Sequence, residues 1–381
     1  MKPSYRVPTL DEINEIPPNG YKAISTFSGC GGSSLGYRMA GFEMLYANEF
    51  IDAARDTYIA NASPSTFVDG RDIRSVTAED ILGKINLEAG QLDLLDGSPP
   101  CASFSTAGKR EKAWGKVKKY SDKAQRVDDL FFEFARLVEG IQPKTFVAEN
   151  VSGLVKGTAK GYFLEILSTL KNCGYRVEAK LLDAQWLGVP QARQRIIFVG
   201  VRNDLRLAPA FPKPLAYRYT LRDALPWIHS VRQIEVYNEG ERITTDSPVP
   251  TITQSGIGAK RIEKHYVEAE ADISKYCTGR EWDKLKQGEQ SDKYFNLVRA
   301  SIDAPSPTIC ASHGSPGIAS VTHPLEKRKF SIAELKRICG FPDDFVLTGS
   351  YKQQWERLGR AVPPVMMFHI AKTICNEILI Q

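Results

Sequence analysis

The stretch Asp96-Gly-Ser-Pro-Pro-Cys-Ala-Ser-Phe-Ser105 decides how the rest of the sequence is interpreted. It follows an apolar run, residues 92–95, that predicts a short buried strand. Two prolines stiffen the chain in front of Cys101, because each proline locks its own φ angle and biases the preceding residue towards extended geometry. The thiol is therefore expected at the carboxyl end of a strand, where open α/β sheets bind their ligands. These residues alone leave two interpretations open, a nucleophile and a buried structural cysteine.

Length, composition and cysteine content limit the class of protein. A chain of 381 residues predicts about two domains. Its hydrophobic fraction of 42% and charged fraction of 25% are typical of a globular protein. We expect neither a membrane span nor a signal peptide, since the sequence has no apolar run of about 18 residues and no apolar core behind its first residues. The seven cysteines include no C-x-x-C pair, which predicts no disulfide framework, no metal site and a reducing cytoplasm.

Positive charge is concentrated in residues 109–126. This segment has eight Lys or Arg against Glu111 and Asp122, a net charge of +6, whereas the whole chain has +5. Trp114 and Tyr120 lie among the cations. The segment is either a solvated loop or a mobile basic flap, and its position after Cys101 favours a flap that closes over an anionic polymer.

The amino-terminal region predicts a nucleotide-binding βα unit. A strand at residues 22–27 leads into a glycine-rich turn at residues 28–36, and a helix is expected to begin at Tyr37. Glycines let the backbone approach a ligand, and the helix amino end favours a negative group. The next strand ends at Glu49, an acid placed to bind ribose hydroxyls. Asp72 and Ile73 then offer an acid and an apolar contact for an adenine ring.

Two further strand ends carry candidate catalytic groups. The strand at residues 145–148 ends in Glu149, a carboxylate that can act with a thiol as an acid or base. Gln191, Arg193 and Arg195 alternate along an extended segment, so the three side chains are expected on one face. Two guanidiniums on one face suit phosphates or base edges.

From about residue 201 to 320 the βα rhythm stops and prolines cluster, which predicts a second, irregular domain. Two similar loops occur there, Asp246–Ile252 and Asp303–Ile309. Its basic and aromatic residues are either nucleic-acid contacts or ordinary surface: Arg218, Tyr219, Arg222, Lys260, Arg261, Lys264 and Tyr266. Regular structure returns with a capping box at Ser331 and Glu334 and a last amphipathic helix at residues 365–379.

These motifs closely resemble the cytosine-5 DNA methyltransferases of bacterial restriction-modification systems, over nearly the whole chain outside 201–320. The resemblance lies in residues 27–32, 97–105, 149–151, 191–195 and 359–364. It implies an α/β, Rossmann-like S-adenosylmethionine-dependent methyltransferase fold with a smaller, irregular target-recognition domain. The implied division is an arm at 1–20, a catalytic and cofactor-binding domain at 21–205, a target-recognition domain at 206–325, and C-terminal helices at 326–381 that return to the catalytic domain.

The resemblance also implies site residues and partners. The implied catalytic residues are Cys101, Glu149, Arg193 and Arg195. The implied contacts of S-adenosyl-L-methionine are Phe27, Gly29, Gly31, Gly32, Leu35, Glu49, Phe50, Asp72, Ile73, Pro100 and Val362. The implied DNA contacts are Ser105, Lys109, Arg110, Lys118, Lys119 and Gln191. The expected partner is double-stranded DNA, bound by a cytoplasmic monomer of bacterial or phage origin, with a separate restriction endonuclease left open.

The implied reaction begins when the Cys101 thiolate adds to C6 of cytosine, which makes C5 nucleophilic. Glu149 would hydrogen-bond N3 and the exocyclic amine, and Arg193 or Arg195 would hold the ring carbonyl. The cytosine has to be flipped out of the duplex first. Two residues depart from the family pattern: Ser25 stands where the family often has Asp, and Arg360 replaces the usual Asn.

Three alternatives remain at this stage. An RNA methyltransferase shares the scaffold, although the insertion at 201–320 and the residues after Cys101 favour DNA. A catalytically dead DNA-binding relative is disfavoured by intact catalytic residues: Cys101, Glu149, Arg193 and Arg195. A small-molecule methyltransferase would leave the basic flap and the large second domain unexplained.

Overall fold

A seven-stranded, mostly parallel sheet forms the centre of the molecule and confirms the α/β class. In the computed structural model of the chain, the structure describes residues 2–100, 118–120, 123–125, 129–155, 159–228, 235–238, 241–243 and 266–379. The sheet has the strand order β3-β2-β1-β4-β7-β10-β8, and β10 alone runs antiparallel to its neighbours. Its strands are β1 Lys22–Thr26, β2 Glu43–Asn48, β3 Phe67–Asp69, β4 Leu94–Gly97, β7 Thr145–Val151, β8 Tyr175–Asp183 and β10 Gln194–Arg202.

The strand order reverses between β1 and β4, since β2 and β3 lie to one side of β1 and β4 lies to the other. This switch point opens a crevice outside the carboxyl ends of the strands, where α/β sheets bind ligands. Strands β4 and β7 are buried almost throughout because helices cover both faces of the sheet.

Two hydrophobic clusters fill the space on either side of the sheet. One contains the predicted core helix, which spans Leu130–Ile141 and buries Phe134, Leu137 and Ile141. The other lies beneath the first and last long helices of the sheet domain and includes Tyr37 and Met367. The helices are α1 Leu10–Asn14, α2 Gly32–Met39, α3 Asp52–Asn61, α4 Ala78–Ile85, α5 Leu130–Ile141, α6 Ala159–Asn172, α7 Leu221–Ala224, α8 Cys277–Trp282, α9 Ile332–Ile338, α10 Tyr351–Arg360 and α11 Pro364–Ile374. A π-helical turn, Cys375–Leu379, extends α11.

A third cluster forms a smaller lobe with little regular structure. It joins α7, α9 and α10 to residues such as Ile309 and Phe330, and it reaches Cys30 and Leu35 of the sheet domain. The strands outside the seven-stranded sheet are short: β5 Lys118–Tyr120, β6 Lys123–Gln125, β9 Gln191–Ala192, β11 Glu235–Asn238, β12 Glu241–Ile243, β13 Tyr266–Glu268, β14 Val298–Arg299, β15 Ser306–Pro307 and β16 Val321–Thr322. The predicted capping box of Ser331 and Glu334 is confirmed at the start of α9. The loop 246–252 lies outside the described residues.

The C-terminal helices divide between the two parts of the molecule. Helix α11 packs on α2 and so returns to the sheet, as expected. Helices α9 and α10 instead share the core of the smaller lobe with residues that precede 326. The domain boundaries therefore stay a prediction, since one cluster crosses the boundary at 326.

Two local predictions are wrong. The arm at 1–20 is not wholly extended, because Thr9 and Glu12 form a capping box that starts α1. Helix α2 begins at Gly32 and not at Tyr37. Glycine is a poor helix former, but a Cβ at Gly36 would lie 2.6 Å from the Pro364 carbonyl oxygen. The close approach of α11 therefore outweighs the low helix propensity of glycine.

None of the described helices combines the length and the apolar character that a membrane span requires.

Candidate active site

A cavity of about 490 Å³ lies at the switch point of the sheet. Its volume is within the range of small-molecule sites, about 300–1,000 Å³. The loops that follow β1, β2, β4 and β7 form one wall, and the segments 308–312 and 357–362 of the smaller lobe form the other. Nine of the predicted cofactor residues line it: Phe27, Gly29, Gly32, Glu49, Phe50, Asp72, Ile73, Pro100 and Val362.

The glycine turn gives this cavity its floor. Gly29 has a φ angle of +56°, and a Cβ there would meet nothing within 4 Å, so conformation and not space requires glycine. At Gly32 the reason is contact, since a Cβ would lie 2.2 Å from the carbonyl oxygen of Val362. The first and last family motifs therefore meet at the amino end of α2.

Glu49 is fixed by the turn that it faces. Its carboxylate oxygens accept hydrogen bonds from the backbone N–H groups of Gly29 and Ile51, both at 2.7 Å. Burial raises the pKa of this carboxyl. Each oxygen has a second lone pair, so the group can still accept from ribose hydroxyls in the cavity.

These features fit S-adenosylmethionine. Glu49 can hold the ribose, and the buried Ile73 with the half-buried Phe50 provides apolar surface for adenine. Asp72 caps the short 3-10 turn that carries Ile73, which fixes the position of that contact. The open backbone at Gly29 leaves room for the rest of the molecule.

Glu149 and Arg195 form the polar end of the cavity. Arg195 Nε lies 2.6 Å from Glu149 Oε1, and both side chains are largely buried. The N–H bond is not aligned with this contact, so the pair is ionic and Glu149 Oε1 has no hydrogen-bond partner among the described residues. A buried carboxylate oxygen without a donor is expensive, which is consistent with a site that a ligand completes.

The approach to Cys101 is anchored to the same strand. Asn150 Nδ2 donates to the carbonyl oxygen of Pro99 at 3.1 Å, and Pro100 lines the cavity. Cys101 itself, Ser105, Lys109 and Arg110 lie outside the described residues. Lys118 and Lys119 lie in β5, which pairs antiparallel with β6. The predicted DNA contacts in this flap stay predictions.

Among the predicted site residues whose side chains the structure describes, four do not line the cavity: Gly31, Leu35, Gln191 and Arg193. Arg193 is 1% exposed, and its guanidinium donates to the carbonyl oxygens of Ile309, Gly359 and Arg360. That Gln191, Arg193 and Arg195 share one face stays a prediction; β9 ends at Ala192 and β10 begins at Gln194. The other two departures are Leu35, which faces the core of the smaller lobe, and Gly31, which faces the ring of Tyr58.

Gln191 is fully buried and does not reach the surface where DNA could contact it. Its side chain accepts from the N–H of Ile309 at 3.3 Å and donates to the sulfur of Cys339 at 3.2 Å. In this structure Gln191 and Arg193 thus join the smaller lobe to the sheet, and only Arg195 of the three enters the cavity.

Sequence reasoning missed the cavity wall at residues 308–312. Thr308 Oγ1 donates to the carbonyl oxygen of Ala192 at 2.6 Å, and β15 pairs with β9 just before it. The repeated Asp-x-Pro-x-Pro-Thr-Ile pattern that ends at Ile309 was the available signal. The side chain of Arg360 pairs with Glu356 at 2.8 Å, while its backbone carbonyl accepts from Arg193.

Ser25, the other departure from the family pattern, faces an aspartate on the next strand. Its Oγ donates to Asp96 Oδ2 at 2.8 Å, and Tyr37 donates to Asp96 Oδ1 at 3.1 Å. Burial raises the pKa of Asp96 to about 7. A carboxyl group therefore lies beside Ser25, but it belongs to β4 and not to β1.

Comparisons with known proteins identify the family and the fold of the chain. The family model of the C-5 cytosine-specific DNA methylase matches residues 21–376. The chain is 32% identical to the type II methyltransferase M.PspPI of Psychrobacter sp. (strain TA137), covering 96% of this chain and 81% of that protein. It is 30% identical to the type II methyltransferase M1.HphI of Haemophilus parahaemolyticus, covering 92% and 86%. A solved structure of a prophage-encoded DNA modification methyltransferase of Escherichia coli has the same fold, with a TM-score of 0.70, 22% identity and coverage of 94% and 100%.

Proposed function

The chain belongs to the C-5 cytosine-specific DNA methylase family, and we propose that the cavity described above is its active site. The protein is a DNA (cytosine-5) methyltransferase of the restriction-modification type. The observation that carries the proposed site is the Glu149–Arg195 pair, which opens into the same cavity as Glu49 and the glycine turn. The groups proposed to bind the cofactor and those proposed to bind the base thus line one cavity.

Members of this family use S-adenosylmethionine, which supplies a methyl group bound to a positively charged sulfur. In this chain Glu49 would hold the ribose hydroxyls, and Phe50 and Ile73 would enclose the adenine. Gly29 and Gly32 would let the backbone approach the remainder. Val362 closes the opposite side, because its carbonyl occupies the space that a side chain at Gly32 would need.

Cys101 would act as the nucleophile. Its thiolate forms a bond to C6 of cytosine, and the C5–C6 double-bond electrons move so that C5 becomes electron-rich. C5 would then take the methyl group as the methyl–sulfur bond breaks and the sulfonium becomes a neutral thioether. A base would remove the C5 proton, and the C6–sulfur bond would break to restore the ring and the thiolate. Asn150 would keep the Pro99–Pro100 segment in place while this bond forms and breaks, because it holds the Pro99 carbonyl.

Glu149 would bind the edge of the cytosine that carries N3 and the exocyclic amine. Because N3 is an acceptor, the protonated carboxyl would donate to it, which draws electrons towards the ring nitrogen and favours attack at C6. The other carboxyl oxygen would accept from the exocyclic amine. Arg195 contributes a fixed positive charge beside this carboxylate and can reach the ring carbonyl from the same side of the cavity.

The substrate that suits this site is duplex DNA with the target cytosine flipped out. A base inside a stacked duplex cannot reach a buried carboxylate, and flipping costs a few kcal/mol. The basic segment 109–126 and the region 206–325 would bind the duplex and offset that cost. We propose a cytoplasmic monomer that acts separately from any cognate endonuclease.

Methyl-labelled S-adenosylmethionine tests this function directly. The protein is incubated with mixed genomic duplex DNA or with total tRNA, and the nucleosides are separated. Label in 5-methyldeoxycytidine is the expected result, and sequencing the methylated positions then gives the target site. Label confined to RNA would contradict the substrate class, and label on neither polymer would contradict the activity.

A further inference from the structure

An arginine and a tryptophan are stacked at the surface next to the active site. The guanidinium carbon of Arg218 lies 4.7 Å from the centre of the Trp186 ring, and Trp186 is 38% exposed. Arg218 Nη1 also donates to Gln185 Oε1 at 3.0 Å. A stack and a hydrogen bond together restrict a long, flexible side chain to one arrangement. The exposed guanidinium is therefore preorganised.

This stack lies at the edge of the sheet that carries the active site. Strands β7 and β8 run in the same direction, because β10 lies between them and is antiparallel to both. Trp186 follows the carboxyl end of β8, as Glu149 approaches the carboxyl end of β7. Neighbouring strands are about 4.8 Å apart, so the stack is displaced by roughly 10 Å across the sheet from the catalytic pair.

Polar contacts connect the stack to the catalytic pair. Gln185 Nε2 donates to Asp183 Oδ2 at 2.8 Å, and Gln194 Nε2 approaches the same oxygen at 3.5 Å. Arg195 Nη1 then donates to the carbonyl oxygen of Gln194 at 2.7 Å. A phosphate bound to Arg218 would thus be connected, through Gln185 and Asp183, to the segment that positions Arg195.

Arg218 keeps its binding capacity, unlike its neighbours in sequence. Tyr219 is buried, and Arg222 pairs with Asp303 at 2.7 Å. Within the described ranges no carboxylate lies at ion-pair distance from Arg218, and only Nη1 has a hydrogen-bond acceptor. The Nε and Nη2 groups form the fork that matches two oxygens of a phosphate.

We propose that Arg218, held by Trp186 and Gln185, binds a backbone phosphate of duplex DNA close to the flipped cytosine. The proposal rests on the proposed function, in which DNA covers this edge of the sheet. Duplex DNA carries one negative charge per about 1.7 Å of its axis. A duplex that delivers a base to Glu149 therefore brings phosphates within roughly 10 Å of it on either side.

The test compares Arg218→Ala with a control, Arg176→Ala, which removes another exposed arginine, at the opposite end of β8. Affinity for a mixed-sequence duplex is measured over a series of salt concentrations. Arg218→Ala should weaken binding roughly ten-fold at low salt and reduce the slope of log K against log salt by about one. Arg176→Ala should match the wild type. Arg218→Lys, which keeps the charge but loses the fork, should keep the slope and recover only part of the affinity.

Control measurements show whether a loss of DNA binding comes from the lost contact or from a damaged fold. The thermal unfolding temperature and the affinity for S-adenosylmethionine should be the same in all three variants and the wild type, since none of the exchanged residues lines the cavity. The phosphate contact would be overturned if Arg218→Ala left the salt slope unchanged, or if Arg176→Ala lost as much affinity for the duplex. In either case, methylation of the duplex by the wild type would still support the proposed function. A wild type that neither binds nor methylates duplex DNA would overturn both.

Discussion

Arg195 Nε approaches Glu149 Oε1 to 2.6 Å without forming an aligned hydrogen bond. The carboxylate is therefore charge-paired and still able to bind a partner. Glu149→Gln keeps the shape of the side chain but replaces an acid, which can give its proton to N3, by an amide, which cannot. We expect methyl transfer to fall by roughly 10²–10⁴-fold, with the affinity for S-adenosylmethionine unchanged. Single-turnover rates and cofactor titration measure the two effects, and a loss of cofactor affinity alone would place Glu149 outside the reaction.

The two arginines of the 191–195 segment should behave differently. Arg193→Met leaves three carbonyl oxygens with one donor fewer, at about 1–3 kcal/mol for each group left unsatisfied. We expect a lower free energy of unfolding. Arg195→Lys, which keeps a positive charge beside the buried Glu149, should lower the methyl-transfer rate with little change in stability. Denaturant unfolding and single-turnover kinetics of both variants give a direct comparison, and a similar loss of stability in both would remove the distinction.

The close contact between Gly32 and Val362 predicts that a single added methyl group at Gly32 destabilises the protein. In Gly32→Ala the new Cβ would lie 2.2 Å from the backbone oxygen of Val362, and overpacking typically costs about 1–3 kcal/mol. We expect lower stability and weaker cofactor binding. The matched control is Gly83→Ala in α4, where a Cβ meets nothing within 4 Å. That exchange should stabilise the helix by about 0.5–1 kcal/mol. The same substitution is therefore expected to lower the stability at Gly32 and to raise it at Gly83.

Asp96 should make the stability depend on pH. Its pKa is about 7 in the folded chain, raised by burial, against about 3.9 when unfolded. The folded state then binds the proton more tightly, so this contribution to stability is present below about pH 4 and is lost as the pH rises through 7. Asp96→Asn should remove that loss, up to roughly 4 kcal/mol at pH 8. The free energy of unfolding is measured at pH 5 and pH 8, with Asp56→Asn, at an exposed aspartate, as the control. If Asp96→Asn and the wild type showed the same dependence on pH, Asp96 would not be the cause.

Cys101 should be essential for transfer and dispensable for binding. Cys101→Ala should abolish methylation and leave the affinity for duplex DNA within a few-fold of the wild type. A duplex that contains 5-fluorocytosine should trap the wild type as a covalent complex, because the final loss of the C5 proton cannot occur. Cys101→Ala should form no such complex, and methylation by this variant at the wild-type rate would assign the nucleophile elsewhere.

Local sequence determined the parts of the site that depend on short-range geometry. A strand followed by Gly29 and Gly32 produced the turn and the helix amino end, and the next strand placed Glu49 opposite that turn. Apolar spacing was enough to predict α5, because a helix with one apolar face must bury it. The side-chain types and spacing also identified Glu149 as a group at a strand end.

Tertiary structure decided which of the candidate groups share the cavity. The guanidinium of Arg193 is bound by backbone carbonyls of the smaller lobe, whereas Arg195 lines the cavity. The wall at 308–312 and the stack of Arg218 on Trp186 likewise join segments far apart in sequence. Such contacts depend on how the two parts of the chain pack, and local residue patterns carry no information about that packing.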